Sequence, residues 1–332
     1  MDDTMANTAD AIIDRRRLRR KLTFWRILSL LVVALALIGL YGFLAGSDRL
    51  SGKTAAHIAK IRVEGTIFEN DELIKRLGEV ADSTAVKGVI LSVDSPGGTT
   101  AGGEAIYEAV RKIAVKKPVV AQVGTLAASA GYMIASGSDH IVARQSSIVG
   151  SIGVLFQYPD ISELLTKVGV KVETIKSSPL KAEPNFFNPA SDEAKAMIHR
   201  MIMDSYDWFV GIVQERRKFT REQTLALADG SVFTGRQALA NKLIDELGGE
   251  DKSIAWLKTK GIDEKLPVIE WKPAQKTAFS SLLSQSALKM LAQYLGIPQE
   301  STGLLRDLTG DRIFLDGLVS VWHVDGRPVG AQ

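Results

Sequence analysis

Residues 124–153 read GTLAASAGYMIASGSDHIVARQSSIVGSIG and follow the run Val119-Val120-Ala121-Gln122-Val123. That β-branched run is long enough for a buried strand. A strand, a glycine turn and a helix of small residues are predicted in that order, which sets Ser129 near a helix N-terminus. Free N–H groups and the helix dipole favour developing negative charge there. Ala127, Ala128, Ala130 and Gly131 leave room for a substrate backbone to approach Ser129. Taken alone, Ala-Ala-Ser-Ala-Gly also serves as a tight packing face, so the serine needs support from elsewhere in the chain.

Outward from this stretch the text alternates strand and helix. Residues 58–67 read as strand, 70–80 as helix, 86–93 as a buried strand, 102–114 as an amphipathic helix and 118–123 as strand. Alternation of this kind implies a mainly parallel sheet with crossover helices. Residues 141–143 and 170–175 would add strands. Residues 190–218 form a long helical pattern opened by Ser191-Asp192-Glu193; further short helices begin at Thr220 and span 234–243, and Gly248-Gly249 breaks the chain. In the less regular tail, 261–332, residues 280–295 are a candidate amphipathic helix, read first as packing on its own domain and otherwise as touching a membrane or another subunit.

At the other end, 1–26 carries seven Lys/Arg, among them the run RRRLRRK, and four Asp. Taking those from the totals of 41 basic and 38 acidic residues leaves 34 of each sign. A neutral body argues against a nucleic-acid surface. Residues 27–45 contain no charge, and nineteen helical residues span roughly a bilayer's hydrocarbon core. A cleaved signal peptide is the rival, but its apolar region is shorter and ends at a small-x-small site; Leu44 would occupy the −3 position of a cut after Gly46. An uncleaved anchor fits better, with the basic cluster in the cytoplasm and everything after Ser47 exported. The organisation expected is therefore a basic N-terminus (1–26), a transmembrane anchor (27–45), a linker (46–56), a catalytic domain (57–260) and an extension (261–332). There is no Cys, which excludes disulfides and thiolate chemistry, and the four His (57, 140, 199 and 323) show no metal-binding spacing.

A second motif, Asp94-Ser95-Pro96-Gly97-Gly98, ends the 86–93 strand. It lacks the endings of a phosphate loop or a dinucleotide site. Its use would be as an oxyanion hole, a Gly97 or Gly98 amide acting with the amide of Ala130 on one carbonyl oxygen. A serine nucleophile also needs a base. His140, the His near Ser129, opens a strand-like segment that suggests a solvent-facing edge. A lysine is then the candidate, provided burial lowers its pKa from about 10.4 towards neutrality. Lys176 and Lys181, in Ile175-Lys176-Ser177-Ser178-Pro179-Leu180-Lys181, both qualify, and the residues alone do not choose.

GTLAASAGYMIAS, DSPGG, GSIGV, IKSSPLK and the later Ala228-Asp229-Gly230-Ser231-Val232-Phe233-Thr234-Gly235 together resemble the signal peptide peptidase A (SppA, protease IV) family in its short form, over about 55–260. The resemblance implies a ClpP/crotonase-type α/β spiral of ββα units behind one N-terminal transmembrane helix. It implies Ser129 as nucleophile, Lys181 as general base and Ser151 as the residue orienting the lysine amine. ClpP-like proteases carry a His after the nucleophile helix; SSIVGSIGV has none, which favours Lys. It implies further a homo-oligomeric ring or dome in which serine and lysine meet across adjacent protomers, and a bacterial inner-membrane enzyme with its catalytic domain outside the cytoplasm.

The activity expected is serine peptidase chemistry on extended apolar segments such as cleaved signal peptides, with no metal, nucleotide or organic cofactor and no nucleic acid as partner. Three other readings remain at this point. One is a protease acting on intact membrane or exported proteins; the others are a crotonase-like acyl-CoA enzyme and a non-catalytic membrane scaffold.

Overall fold

Why Ser129 ends up where it does is decided by one strand that changes partners halfway along. The computed structural model describes residues 21–38, 53–273 and 319–321. The chain divides into two units, Met1–Ala55 and Ala56–Gln332. Of the first, the described part is helix α1, Lys21–Ile38, eighteen residues of mean hydropathy 2.0 with every side chain exposed. At 1.5 Å per residue it is about 27 Å long, enough to cross the apolar part of a bilayer. Residues 39–45 of the expected anchor lie outside the described residues.

The second unit is built on an eight-stranded sheet. Its first elements are β1 (His57–Glu64), α2 (Asp71–Asp82), β2 (Val86–Ser95), β3 (Gly97–Thr99), α3 (Thr100–Ala114), β4 (Val119–Ala128) and α4 (Ala130–Ser136). There follow β5 (His140–Ala143), β6 (Ile148–Gly150), α5 (Ser162–Lys167), α6 (Asp192–Arg217), α7 (Arg221–Leu225), β7 (Val232–Thr234), α8 (Gly235–Ala240), β8 (Glu246–Leu247), α9 (Glu250–Thr259) and β9 (Val268–Glu270). A last strand, β10 (Val319–Val321), pairs with β3. Strand order in the large sheet is β7-β6-β4-β2-β1-β9, with β5 lying between β4 and β8. Its pairings are parallel except β6 with β7.

The middles of the strands carry short apolar runs, Val89-Ile90-Leu91 and Val119-Val120-Ala121 among them, because both faces are covered there. Ala59, Ile61, Val89, Leu91, Val119 and Ala121 join the large core with residues of α2, α3, α4 and α6. Ile58, Ile90, Val120 and Val142, one step out of phase, pack with Leu257 of α9. A one-residue slip would exchange the two sets, so the register is strongly specified. Helix starts follow their caps: Asn70 Oδ1 accepts from Leu73 N–H at 2.9 Å, and Thr99 Oγ1 from Gly102 N–H at 3.2 Å. The Thr99 cap begins α3 two residues before the predicted 102. Helix α8 is shorter than the predicted 234–243, with Thr234 as its N-cap.

Two expectations fail. No glycine turn interrupts the chain before Ser129. Instead β4 pairs with β5 through Val120–Val123 and then with β6 through Leu126–Ala128, and the residues between carry it from one partner to the next. Residues 170–175 form no strand. The segment is exposed, Ile175 fully so, and has no neighbouring strand to satisfy its backbone. The helix candidate at 280–295 lies outside the described residues.

Candidate active site

Ser129 sits at the junction of β4 and α4 with φ 57° and ψ −122°, a conformation that L-residues rarely adopt. It is 1 % exposed. Neighbouring backbone holds it there: its N–H donates to Gly150 O at 2.8 Å, and its carbonyl accepts Met133 N–H at 3.0 Å. Gly150 itself requires glycine, because φ is +110° and a Cβ would lie 2.9 Å from Ser231 O.

Helix α4 is clamped at its far end. Arg111 donates to Gly137 O at 2.9 Å, and Arg216 donates to Ser136 O and Ser138 O, each at 3.0 Å. These guanidiniums satisfy carbonyls left over at the helix C-terminus, where positive charge is favoured. The buried Tyr132 hydroxyl donates to Leu243 O at 2.8 Å, and burial pushes its phenol pKa up. Seven residues could not hold a helix unaided; here packing and side-chain caps hold it.

The residues named for the oxyanion divide. Ala130, fully buried, is the first residue of α4, so its N–H has no acceptor inside the helix. The Gly97 N–H donates to Ser95 Oγ at 3.1 Å, and Ser95 Oγ donates to Gly65 O at 2.7 Å. Gly98 is fixed by close approach. A Cβ there would lie 1.9 Å from Ile67 O, because Thr99 N–H donates to Ile67 O and Ile67 N–H to Gly97 O, each at 2.8 Å. Sequence reasoning missed this bridging role of the Ser95 hydroxyl, although Ser95 stands inside the Asp94–Gly98 motif.

Ser151 follows directly on β6, 8 % exposed and at φ 53°, with its N–H donating to Ser231 O at 2.7 Å. The Ala228–Gly235 motif supplies that acceptor, since β7 pairs antiparallel with β6. Ser231 is steadied in turn by Asp229, whose carboxyl is held below its usual value by hydrogen bonds from Ser231. Ser129 and Ser151 are thereby brought onto adjoining backbone.

Lys181 lies on an exposed stretch of backbone, where its N–H donates to Ser178 O at 3.2 Å. It stands on the arm 154–190, which displays Leu155, Leu164, Val168, Val170, Ile175 and Phe187 to solvent. Lys176 is engaged: its ammonium pairs with Glu183, which also accepts from Asn185 Nδ2 at 2.9 Å. The hydrogen bond from Lys176 holds the Glu183 carboxyl below the ordinary glutamate range. Sequence reasoning missed this pair, although the spacing Lys176-x6-Glu183 was there to be read.

His140 does not face solvent as its position suggested. β5 is covered on both edges, and the imidazole stacks on Trp256 with centroids 5.0 Å apart. A cleft of about 380 Å³ lined by Asp94, Gly124, Thr125, Arg144, Ser146 and Ser147 does not include Ser129. Among the described residues no group of three or more His, Asp or Glu is placed to hold a metal.

Comparison with known proteins places this geometry. Residues 111–262 match the model of peptidase family S49, and residues 59–149 match that of Clp protease. A candidate protease of Synechocystis sp. is 34% identical over 250 residues, covering 74% of this chain and 90% of that protein. A candidate signal peptide peptidase SppA of Enterococcus faecium is 32% identical, covering 74% of this chain and 77% of its own length. Protease 4 of Haemophilus influenzae is 31% identical over 76% of this chain, which spans only 44% of that longer protein. With a ClpP-like α/β body and two relatives above 30% identity matched over 90% and 77% of their own length, this chain belongs to peptidase family S49.

Proposed function

We propose that this peptidase is a membrane-anchored serine endopeptidase whose nucleophile is Ser129 and whose general base is Lys181 from a neighbouring copy of the chain. The observation that carries the reading is the pairing of a strained, backbone-locked Ser129 with an exposed arm bearing Lys181. A non-glycine residue is held at such φ and ψ only where its surroundings enforce it, and such residues cluster at functional sites. The apolar side chains of the arm favour burial against another copy. Engagement of Lys176 by Glu183 leaves Lys181 as the amine of this loop available to serve.

In this mechanism unprotonated Lys181 takes the Ser129 proton, and Ser129 Oγ attacks the peptide carbonyl. The oxyanion rests on the Gly98 and Ala130 amides. The amine of the leaving peptide departs with the proton, and water activated by the same lysine hydrolyses the acyl-enzyme. Ser151, beside Ser129, orients the lysine amine. Residues 27–45 hold the body at the outer face of the inner membrane, with the basic N-terminus in the cytoplasm. Substrates are then extended apolar segments, cleaved signal peptides foremost; relatives named as signal peptide peptidase and Protease 4 support that class.

The test is reaction of the detergent-solubilised oligomer with a fluorophosphonate, the modified residue being mapped by mass spectrometry. Modification at Ser129, with hydrolysis of a signal-peptide substrate lost in both Ser129→Ala and Lys181→Ala, is expected. Turnover retained in either variant would break the assignment.

A further inference from the structure

The strand that delivers Ser129 carries more residues than the neighbour it pairs with. Between the paired positions Val93 with Val123 and Ser95 with Ala127, β2 supplies one residue, Asp94, and β4 supplies three, Gly124, Thr125 and Leu126. The surplus is a β-bulge, a device that re-aims a strand and recurs beside active sites. Within it the ladder gives out on the other edge too, because β5 pairs with β4 as far as Val123 and β6 begins at Leu126. Two side chains take up backbone groups left over there. Asp94 Oδ1 accepts Leu126 N–H at 3.1 Å; Ser147 Oγ donates to Gly124 O at 2.6 Å and accepts Arg144 N–H at 3.0 Å. Gly124 leaves room for this arrangement, since a Cβ there would lie 2.8 Å from Asp94 Oδ2. The cleft of about 380 Å³ is the open side of the bulge, with Asp94, Gly124, Thr125 and Ser147 in its lining.

Asp94 stands between two pieces of the site. Its main chain runs on into Ser95, Gly97 and Gly98, and its carbonyl accepts Gly65 N–H at 3.1 Å. Gly65 O in turn accepts the Ser95 hydroxyl. The Asp94 carboxylate meanwhile holds Leu126, three residues before Ser129. We propose that Asp94 and Ser147 are positioning residues, which pin the bulge and so set the span between the Ser129 hydroxyl and the amides of Gly98 and Ala130. The brace itself stands on the hydrogen bonds; its part in turnover rests on the serine-peptidase reading given above. Without the carboxylate, Leu126 N–H loses its acceptor and the bulge relaxes, carrying Ser129 with it. A displacement of about 1 Å at a reacting group costs on the order of 100-fold in rate. Substrate contacts made elsewhere are untouched, so the loss falls on kcat rather than KM.

The experiment uses the full chain in detergent micelles and a signal-peptide substrate. Asp94→Ala should lower kcat about 10- to 100-fold with KM within about twofold of the parent, and should slow fluorophosphonate modification of Ser129 in proportion. Asp94→Asn keeps an oxygen able to accept Leu126 N–H and should recover most of that loss. Ser147→Ala, which strips the Gly124 carbonyl of its donor, should act in the same direction as Asp94→Ala. Gly124→Ala keeps both bracing side chains but pushes the carboxylate aside, so it should copy the Asp94→Ala defect and guards against a folding failure of that variant. In the Ser129→Ala background, where no turnover intervenes, hydrogen exchange in a peptide covering 123–129 should quicken in Asp94→Ala and not in Asp94→Asn. A kcat within about threefold of the parent in Asp94→Ala, or an Asp94→Asn enzyme as slow as the alanine one, overturns the positioning role. A kcat that Ser147→Ala leaves unchanged overturns it for Ser147, and equal exchange overturns the brace. Absence of hydrolysis from the parent chain would sink the peptidase reading and the role in turnover together, while the exchange comparison would still decide whether the brace exists.

Discussion

Replacing Ser129 by glycine should abolish the chemistry yet leave the protein more stable than replacing it by alanine, and the size of that difference can be worked from the backbone. At φ 57° and ψ −122° the residue lies outside every region an L-residue occupies comfortably, including the left-handed helical one. Strain of this kind costs about 1–3 kcal/mol, and this position belongs near the upper end, about 3 kcal/mol. Ser129→Ala keeps the Cβ and therefore the strain; Ser129→Gly releases it. Against that gain stand about 0.7 kcal/mol for the freer unfolded chain of the glycine variant and about 0.8 kcal/mol for one buried methyl group. The glycine variant should thus exceed the alanine variant by about 1.5 kcal/mol, or roughly 3–6 °C in melting temperature for a body of this size. Because both variants lack the hydroxyl, its interactions cancel in the comparison. Thermal unfolding of the two in the same detergent and at one scan rate is the assay. An alanine variant as stable as the glycine one would show that the elbow is not strained, and the structural case for Ser129 as nucleophile would lose its main support.

Gly98→Ala should lower kcat at least about 100-fold, the effect of losing one oxyanion donor. Its Cβ would meet Ile67 O at 1.9 Å and force the backbone aside; steady-state kinetics on a correctly assembled variant is the check. Tyr132→Phe leaves the Leu243 carbonyl without its donor and should cost about 1–2 kcal/mol in denaturant unfolding, with little change in kcat. Glu183 has a folded pKa below its ordinary value, so its ion pair with Lys176 contributes fully above the ordinary glutamate pKa of about 4.3. That contribution is lost as pH falls through the lower folded value. The order of the Lys181 loop should therefore fail on the acid side, and Glu183→Gln should flatten the acid limb of a proteolytic-nicking profile. An unaltered profile would deny the pair its role.

The sheet was legible because it is covered on both faces. Strands such as Val86–Ser95 show by an apolar centre, Val89-Ile90-Leu91, and short polar caps such as Asn70, Thr99 and Ser191 mark helix starts to within two residues. The passage of β4 through Gly124 was not legible. A glycine after the strand-like run Val119–Val123 reads as a turn, and only the exchange of β5 for β6 as neighbour explains why the strand continues. Residues 170–175 misled for the opposite reason, having strand-like residues with no strand beside them. Ser129 could be found from its small neighbours, but its φ could not. The residues alone did not choose between Lys176 and Lys181; the resemblance named Lys181, and the structure adds that Lys176 is paired with Glu183.

The outward-facing arm has a consequence for the cell. On the proposed reading a newly made copy carries a hydroxyl without a working amine, harmless to its neighbours in the bilayer. Cleavage then scales more steeply than linearly with expression while copies are scarce, and becomes proportional once assemblies are complete. Dose would then set the moment at which this hydrolase becomes dangerous.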